Sequence, residues 1–190
     1  ADVGRALYLR PEQLPPDVES MGLEVTEGFR PKVDSGAFTY ATHAALVAVD
    51  PETGHTQILD YVIVEDCGRM VNPMIVEGQL HGGLAQGIGQ VLMEHCVYDP
   101  GNGQLLTGSF MDYAVPRADT MPQILSELDE SQPCTHNPLG AKGCGESGAI
   151  GAPAAVASAV LDALSGFGVA EIQMPLTPES IWRAINTAEA

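Results

Sequence analysis

Glu146 stands in a glycine-rich loop that runs into an alanine-rich stretch, and its type and setting make it the strongest candidate for chemistry in the chain. The glycines around it are Gly140, Gly143, Gly145 and Gly148. Glycine adopts positive φ and allows close approach to the backbone, at an entropic cost. A carboxylate held in a water-poor cleft can act as a general base. The pattern predicts a loop that wraps around a ligand and presents Glu146 to it.

Lys142 and Cys144 lie in the same loop. The chain has only two lysines, Lys32 and Lys142, so the second suggests an anionic ligand, although an ordinary surface lysine explains it equally well. Cys144 is a candidate thiol nucleophile, but no histidine lies near it in sequence. The four cysteines show neither a C-x-x-C pair nor zinc-like spacing with histidine. We therefore expect reduced thiols and no metal ion bound directly by side chains of this chain.

Gly143, Gly145 and Gly148 also match the G-x-G-x-x-G fingerprint of dinucleotide-binding folds. That motif follows a buried strand, whereas residues 131–142 (SQPCTHNPLGAK) are turn-like and contain two prolines. The loop is not a Walker A motif either, because its lysine precedes the glycines. A free-standing nucleotide-binding module is therefore the weakest of the interpretations that we consider.

A second candidate surface lies on residues 75–94 (IVEGQLHGGLAQGIGQVLME), whose apolar residues recur at helical spacing. Each glycine inside a helix costs roughly 1 kcal/mol relative to alanine, so the glycines of this stretch need a tertiary reason. Either they let a ligand approach the helix, or they serve helix packing alone. Gln79 and Gln86, seven residues apart, share one face and can donate amide hydrogens to a polar ligand.

The remaining elements must position this loop and helix. Two β-prone runs, 43–50 and 56–65, predict a hairpin, and residues 97–98 with 104–107 predict a second one. Helices are expected at 153–164, with Pro153 in the first turn, and at 179–187, and a strand is expected at 169–174. Residues 118–136 show no recognisable motif. Hairpins and helices without regular βαβ alternation favour an α+β fold, with an irregular lead-in over 1–36 and a ligand-cleft region over 37–190.

Composition narrows the class of partner. The 190-residue chain is 45% hydrophobic and carries a formal net charge of -17, which argues against nucleic acid or an anionic membrane surface. We find no signal peptide and expect no apolar run long enough to span a bilayer, so a cytoplasmic location is predicted. The chain opens without Met and in mid-pattern, which suggests a piece of something larger.

Three long stretches together carry a resemblance: DCGRMVNPMIVEGQLHGGLAQGIGQVL, GSFMDYAVPRADTMP and NPLGAKGCGESGAIGAPAAVASAV. In this order they closely resemble the C-terminal region of the molybdopterin-binding large subunit of the xanthine oxidase / aldehyde oxidase family, nearest the bacterial carbon monoxide dehydrogenase-like subunits. The likeness extends from about residue 38 to residue 185. It implies a part of a molybdenum hydroxylase that oxidises an aldehyde, an N-heterocycle or a carbon monoxide-like substrate with water-derived oxygen.

The resemblance also implies residue roles. Glu146 matches the catalytic base, and Gln79 matches a glutamine that contacts the pterin. Gln86 and the loop residues Lys142, Gly143, Cys144 and Gly145 match positions that line the cofactor cleft. The expected cofactor is molybdopterin cytosine dinucleotide with molybdenum. Iron–sulfur clusters and FAD are expected on partner domains or subunits.

The resemblance covers only part of a family subunit. Family subunits are several times longer, and the segments that recognise substrate have no counterpart in this chain. The copper-binding cysteine loop of true carbon monoxide dehydrogenases is also missing, so Cys144 is not assigned that role. The partners implied are the remaining part of the molybdenum subunit and the iron–sulfur and FAD subunits. The alternative is a non-catalytic fragment or assembly subunit that keeps the fold without bound cofactor.

Overall fold

The computed structural model describes residues 2–15, 26–30 and 37–188, and the chain divides into two compact units, residues 1–32 and 33–190. The first unit contains helix α1 (Asp2–Leu9) and a 3-10 turn (Pro11–Gln13). The sequence predicted an irregular lead-in with no more than a short helix, and α1 is a helix of eight residues. All the candidate site residues belong to the second unit.

A three-stranded sheet forms one layer of the second unit. Strands β1 (Tyr40–Val49) and β2 (Thr56–Asp66) pair antiparallel, which confirms the predicted first hairpin. Strand β3 (Gln123–Leu128) pairs parallel to β2 on its other side. The sequence analysis missed β3, because its six residues lie in a polar, proline-flanked segment. The second predicted hairpin is reduced to a single bridge between Tyr98 and Leu105.

Two long helices cover the inner face of the sheet. Helix α2 (Pro73–Leu92) begins after Asn72, whose side chain accepts a hydrogen bond from the Ile75 amide, and this confirms the predicted glycine-containing helix. Helix α3 (Ser147–Leu164) packs against α2 and against β1. Short helix α4 (Pro178–Ala188) matches the predicted terminal helix. The buried core joins the sheet to the helices through Tyr61, Ile63, Leu80, Leu84, Ile88, Val156, Val160 and Leu164.

Two sequence expectations near α3 are wrong. The helix begins at Ser147 rather than at 153, so Pro153 lies inside it and not in its first turn. Proline cannot donate to the carbonyl four residues earlier, and that carbonyl, of Ala149, faces Gly87 of α2, where the close approach of the two helices accommodates it. Residues 169–176 form no strand, since they find no strand partner in the described part of the chain.

Helix α3 with the turn that follows it also corrects the expectation about apolar runs. Among the described residues, 147–167 form one helical segment long and apolar enough to cross a membrane by length and composition alone. Alanine, valine, isoleucine and leucine give the segment its high hydropathy. Its buried positions, including Ala152, Val156 and Val160, pack into the core of this unit.

Candidate active site

The glycine loop is fastened to the end of β2 by its backbone. The carbonyl oxygen of Gly140 accepts hydrogen bonds from the amides of Arg69 (2.9 Å) and Cys134 (2.8 Å). Gly68 and Gly140 both have positive φ, +64° and +72°. A Cβ on Gly68 would lie 2.2 Å from the Gly140 oxygen, so only glycine fits at this junction. The loop that leads to residue 146 is therefore held in a fixed place relative to the sheet.

Glu146 is the N-cap residue of α3, at the point where the loop becomes a helix. Its side chain is exposed and makes no capping hydrogen bond to the first helical turn. A cleft of about 270 Å³ opens beside it, with Phe38, Gly145 and Ile150 among its lining residues. The carboxylate therefore faces open space bordered by apolar side chains. No group of three or more His, Cys, Asp or Glu side chains suited to a metal ion occurs within residues 2–15, 26–30 and 37–188.

Gln79 of α2 comes close to the same loop. Its Oε1 lies 3.5 Å from the position that a Cβ on Gly145 would take. Gln86, which is also exposed, lies seven residues further along α2, which corresponds to about 10 Å along the helix axis. The structure thus brings Gln79, Gly145 and Glu146 together and leaves Gln86 apart from them.

The glycines of α2 divide between the two roles that the sequence left open. Gly83 and Gly87 face α3, where a Cβ on Gly87 would lie 2.6 Å from the Cβ of Ala152. Gly78 and Gly82 are exposed and have open space where a Cβ would be. Helix packing therefore explains the first pair, whereas the second pair leaves a bare helix surface beside Gln79.

Lys142 is engaged beneath the loop rather than directed at the cleft. Its Nζ lies 2.9 Å from Oδ1 of Asp66, and both side chains are only 7% exposed. The same Nζ lies 3.2 Å from the Tyr40 hydroxyl and 4.2 Å from the centroid of the Tyr40 ring. The lysine charge is therefore already compensated within the protein. The contact of Lys142 with the cofactor remains a prediction. Because the lysine charge is already paired with Asp66, that charge gives no support for an anionic ligand at Lys142.

The thiols near the loop are poor nucleophiles. Burial raises the pKa of Cys144. Burial likewise raises the pKa of Cys67 to about 11. Because the thiolate is the reactive form, these cysteines are largely unreactive at neutral pH. All four cysteines are free, as the sequence predicted.

Glu65 lies buried beneath the site and was not predicted from the sequence. It is fully buried on the inner face of β2, and its carboxyl group contacts the hydroxyl of Ser147, the first residue of α3 (2.7 Å). Burial raises the pKa of Glu65, against the effect of its hydrogen bonds. The sequence contained a signal for this residue. Side chains alternate between the two faces of a strand, so Glu65 lies on the same inward face as Tyr61 and Ile63.

Comparison with known proteins identifies the family. The family described as "Molybdopterin cofactor-binding domain" matches residues 2–122. The nicotine 6-hydroxylase large subunit of Paenarthrobacter nicotinovorans is 44% identical over 97% of this chain and 22% of its own length. The carbon monoxide dehydrogenase large chain of Hydrogenophaga pseudoflava is 33% identical over 98% of this chain and 22% of its own length. The solved quinoline 2-oxidoreductase of Pseudomonas putida 86 matches with a TM-score of 0.82 and 44% identity, over 95% of this chain and 22% of that chain.

Fold and sequence together define a molybdopterin-binding module with an α+β architecture. The chain belongs to the molybdenum-dependent oxidoreductases of the xanthine oxidase family and corresponds to the C-terminal part of their large subunits. It spans about a fifth of the length of these relatives.

The surface beside Glu146 fits such a cofactor. Gly78 and Gly82 leave a helix surface that a flat ring system can approach without meeting side chains. The exposed amide of Gln79 borders this surface and can donate to ring nitrogens or carbonyl oxygens. Gly143 is also exposed, with no atom within 4 Å of its Cβ position. The Gln79 amide and the exposed backbone at Gly143 are uncharged and can form hydrogen bonds, so they suit a polar heterocyclic ligand.

Proposed function

We propose that the chain supplies the base and part of the cofactor cleft of a molybdenum hydroxylase that oxidises a small molecule with water-derived oxygen. One observation carries the proposal: the carboxylate of Glu146 is exposed and forms no capping hydrogen bond, and Glu146 follows Gly145, which is close to Gln79. The proposed base, Glu146, and the amide of Gln79, which is proposed to hold the cofactor, therefore lie beside the same open space. Membership of the molybdopterin-binding family supports this role for that space.

Gln79 would hold the cofactor through its amide, and Gly78 and Gly82 would allow it to lie close to α2. The backbone of residues 142–145 and the side chain of Gln86 are further proposed contacts. We propose the cytosine dinucleotide form, on the likeness to the carbon monoxide dehydrogenase large chain. When bound, the cofactor supplies the two-electron oxidation. Glu146 takes up the proton that the oxygen donor loses, and its exposed carboxylate has the freedom to do so.

The substrate is proposed only as a class. The relatives are named for nicotine, quinoline and carbon monoxide, which agrees with small electron-poor molecules such as aldehydes, N-heterocycles or carbon monoxide-like substrates. The proposed partners are the remaining part of the molybdenum subunit together with iron–sulfur and FAD subunits, with no nucleic acid and no membrane. A cytoplasmic location remains a prediction.

The proposal is tested by Glu146→Gln in the assembled enzyme. The variant keeps the size of the side chain and removes the base, so kcat is expected to fall by at least about 100-fold while molybdenum content stays unchanged. Glu52→Gln, in the exposed turn between β1 and β2, is the matched control and should retain full activity. Activity that survives Glu146→Gln would remove Glu146 from the role of base.

Native mass spectrometry of material from its own source tests the cofactor and the partners. We expect the 19.9 kDa chain, or a polypeptide that contains it, in a larger complex with molybdenum and cytidine monophosphate near stoichiometric amounts. A chain found alone, without metal or nucleotide, would support the non-catalytic fragment instead.

A further inference from the structure

Glu65 lies beneath the loop that carries Glu146, and within the described part of the chain its carboxyl group forms its hydrogen bonds with two hydroxyl groups. Oε2 lies 2.7 Å from Oγ of Ser147, and Oε1 lies 3.0 Å from Oγ1 of Thr39. The residue is 0% exposed, so bulk solvent does not reach its carboxyl group. It thus connects the start of α3 with the segment that enters β1.

Each of the two hydroxyl groups has a second acceptor within reach. Ser147 Oγ lies 2.9 Å from the carbonyl oxygen of Cys144, and Thr39 Oγ1 lies 2.7 Å from the carbonyl oxygen of Asp66. A hydroxyl carries one hydrogen. Two hydrogens therefore face four acceptor contacts, because an ionised Glu65 only accepts. A hydrogen on Glu65 raises the number of contacts that can each have their own hydrogen from two to three, and Thr39 Oγ1 shares its hydrogen between Glu65 Oε1 and the Asp66 carbonyl oxygen.

We propose that Glu65 is a protonated positioning residue for the loop of Glu146. The acid hydrogen on Oε2 is donated to Ser147 Oγ, and Ser147 in turn donates to the Cys144 carbonyl. This chain of hydrogen bonds closes the loop on either side of Gly145 and Glu146 and fixes where α3 begins. The functional importance of that loop rests on the proposed function, whereas the proton on Glu65 does not.

The electrostatic surroundings favour the neutral acid. The ionisable groups around Glu65 include Asp60, Tyr61 and Asp66 on its own strand and Cys67 just after it, and Lys142, Cys144 and Glu146 in the loop. Tyr40 and His43 lie on β1, Glu127 lies on β3, and Asp129 follows β3. Burial raises the pKa of Glu65, the hydrogen bonds of Ser147 and Thr39 oppose the shift, and the negative charge of Asp66 adds to it. The nearby cation, Lys142, has its Nζ on Asp66.

The first test is the carboxyl titration of Glu65 in the full chain, followed by ¹³C NMR with glutamate labelled at the carboxyl carbon. The resonance is assigned as the one that Glu65→Gln removes. We expect it to titrate above the ordinary glutamate value of about 4.3. Titration at or below that value would refute the proposal.

The second test compares two substitutions by hydrogen exchange of the Ala149 and Ile150 amides, which donate to the Glu146 carbonyl in the first turn of α3. Glu65→Gln keeps one donor and one acceptor, as the protonated acid does, and should leave their protection unchanged. Glu65→Ala leaves both hydroxyls without their partner and should lower the protection about tenfold or more. Loss of protection in both variants to the same extent would contradict the proposal.

The third test is the pH dependence of stability. In the range between the unfolded and the raised folded pKa, the folded state binds one more proton than the unfolded state, so stability falls as pH rises. Wild type should therefore lose stability relative to Glu65→Gln as pH rises above about 4.3. The opposite slope would mean an ionised Glu65. If Glu65→Ala does not fold, the titration and the comparison of wild type with Glu65→Gln still test whether Glu65 is protonated.

The outcomes separate this proposal from the proposed function. Activity that survives Glu146→Gln, together with a raised titration of Glu65, would reject the base and keep the protonated carboxyl. In the assembled enzyme, Glu65→Gln should retain kcat and molybdenum content, whereas Glu65→Ala should lower kcat.

Discussion

At the scale of single residues, Asp66 and Lys142 form the contact on which the loop depends most. Both side chains are nearly buried, and Asp66 Oδ1 also accepts from the Gly68 amide at 2.7 Å. A buried pair adds little beyond well-packed apolar residues, but removing one partner leaves a charge without compensation. The pair therefore fixes the position of the loop more than it stabilises the chain.

Lys142→Met is expected to destabilise the chain by about 3–5 kcal/mol, because Asp66 then keeps a buried and unpaired carboxylate. Adding Asp66→Asn should recover most of the loss, since the amide oxygen still accepts from Gly68. Urea denaturation measures both. Arg183→Met, which breaks the exposed pair between Arg183 and Glu179, is the control and should change little. A double variant as unstable as Lys142→Met would rule out the unpaired charge as the cause.

Sequence reasoning reached Glu146 and Gln79 because glycine patterns and the family resemblance both point to them. It did not reach the partners of Glu65 or Lys142. Lys142 meets Asp66 across 76 positions in the chain, and Ser147 meets Glu65 across 82. No local pattern encodes such pairs, and a lysine in a polar loop gives no sign that its charge is compensated underneath.

At the scale of elements, the crossing of α2 and α3 is a contact of backbone with backbone. A Cβ on Gly148 would lie 2.4 Å from the Leu80 oxygen and 2.8 Å from the Leu84 nitrogen. The sequence predicted both helices, but not that α3 begins before Gly148. Pro153 lies inside α3 and not in its first turn as the sequence predicts, at the point where α3 comes close to Gly87 of α2.

Gly148→Ala is expected to destabilise the chain by about 1–3 kcal/mol, because the neighbouring atoms are backbone and cannot move aside easily. Thermal or urea unfolding measures the effect. Unfolding at the wild-type midpoint would show that the two helices can separate without loss.

Gly82→Ala is the matched substitution on the open side of α2, with free space at its Cβ position. It should stabilise the chain alone by roughly 1 kcal/mol through helix propensity. In the assembled enzyme it should lower molybdenum and cytidine content, because the methyl group occupies the proposed cofactor surface. Full cofactor content in this variant would move the cofactor away from that part of α2.

At the scale of the whole molecule, the outer face of the sheet carries exposed apolar side chains among polar ones and is open among the described residues. Leu46, Val64 and Leu125 are exposed there, Leu125 at 66%. In addition, β1 is a ten-residue edge strand without charge or proline, the kind of edge that proteins normally cover. The chain spans about a fifth of its relatives, so we expect the remaining large-subunit polypeptide to cover this face.

Leu125→Lys tests that expectation. The chain alone should self-associate through the open face, and the substitution should raise its monomer fraction in sedimentation velocity while weakening its binding to the remaining polypeptide. Gln123→Lys adds the same charge on the same strand without removing apolar surface, so its effect should be smaller. Equal effects of the two would attribute the change to charge alone.

The helix crossing has one more consequence. Gln79 precedes Leu80 and Glu146 lies two positions before Gly148, so main-chain contact, and not side-chain rotamers, sets their separation. Core substitutions that alter thermal tolerance should leave this separation unchanged. Substitutions in the apolar interior of the domain can therefore accumulate without changing the spacing between the two residues that we propose for the site.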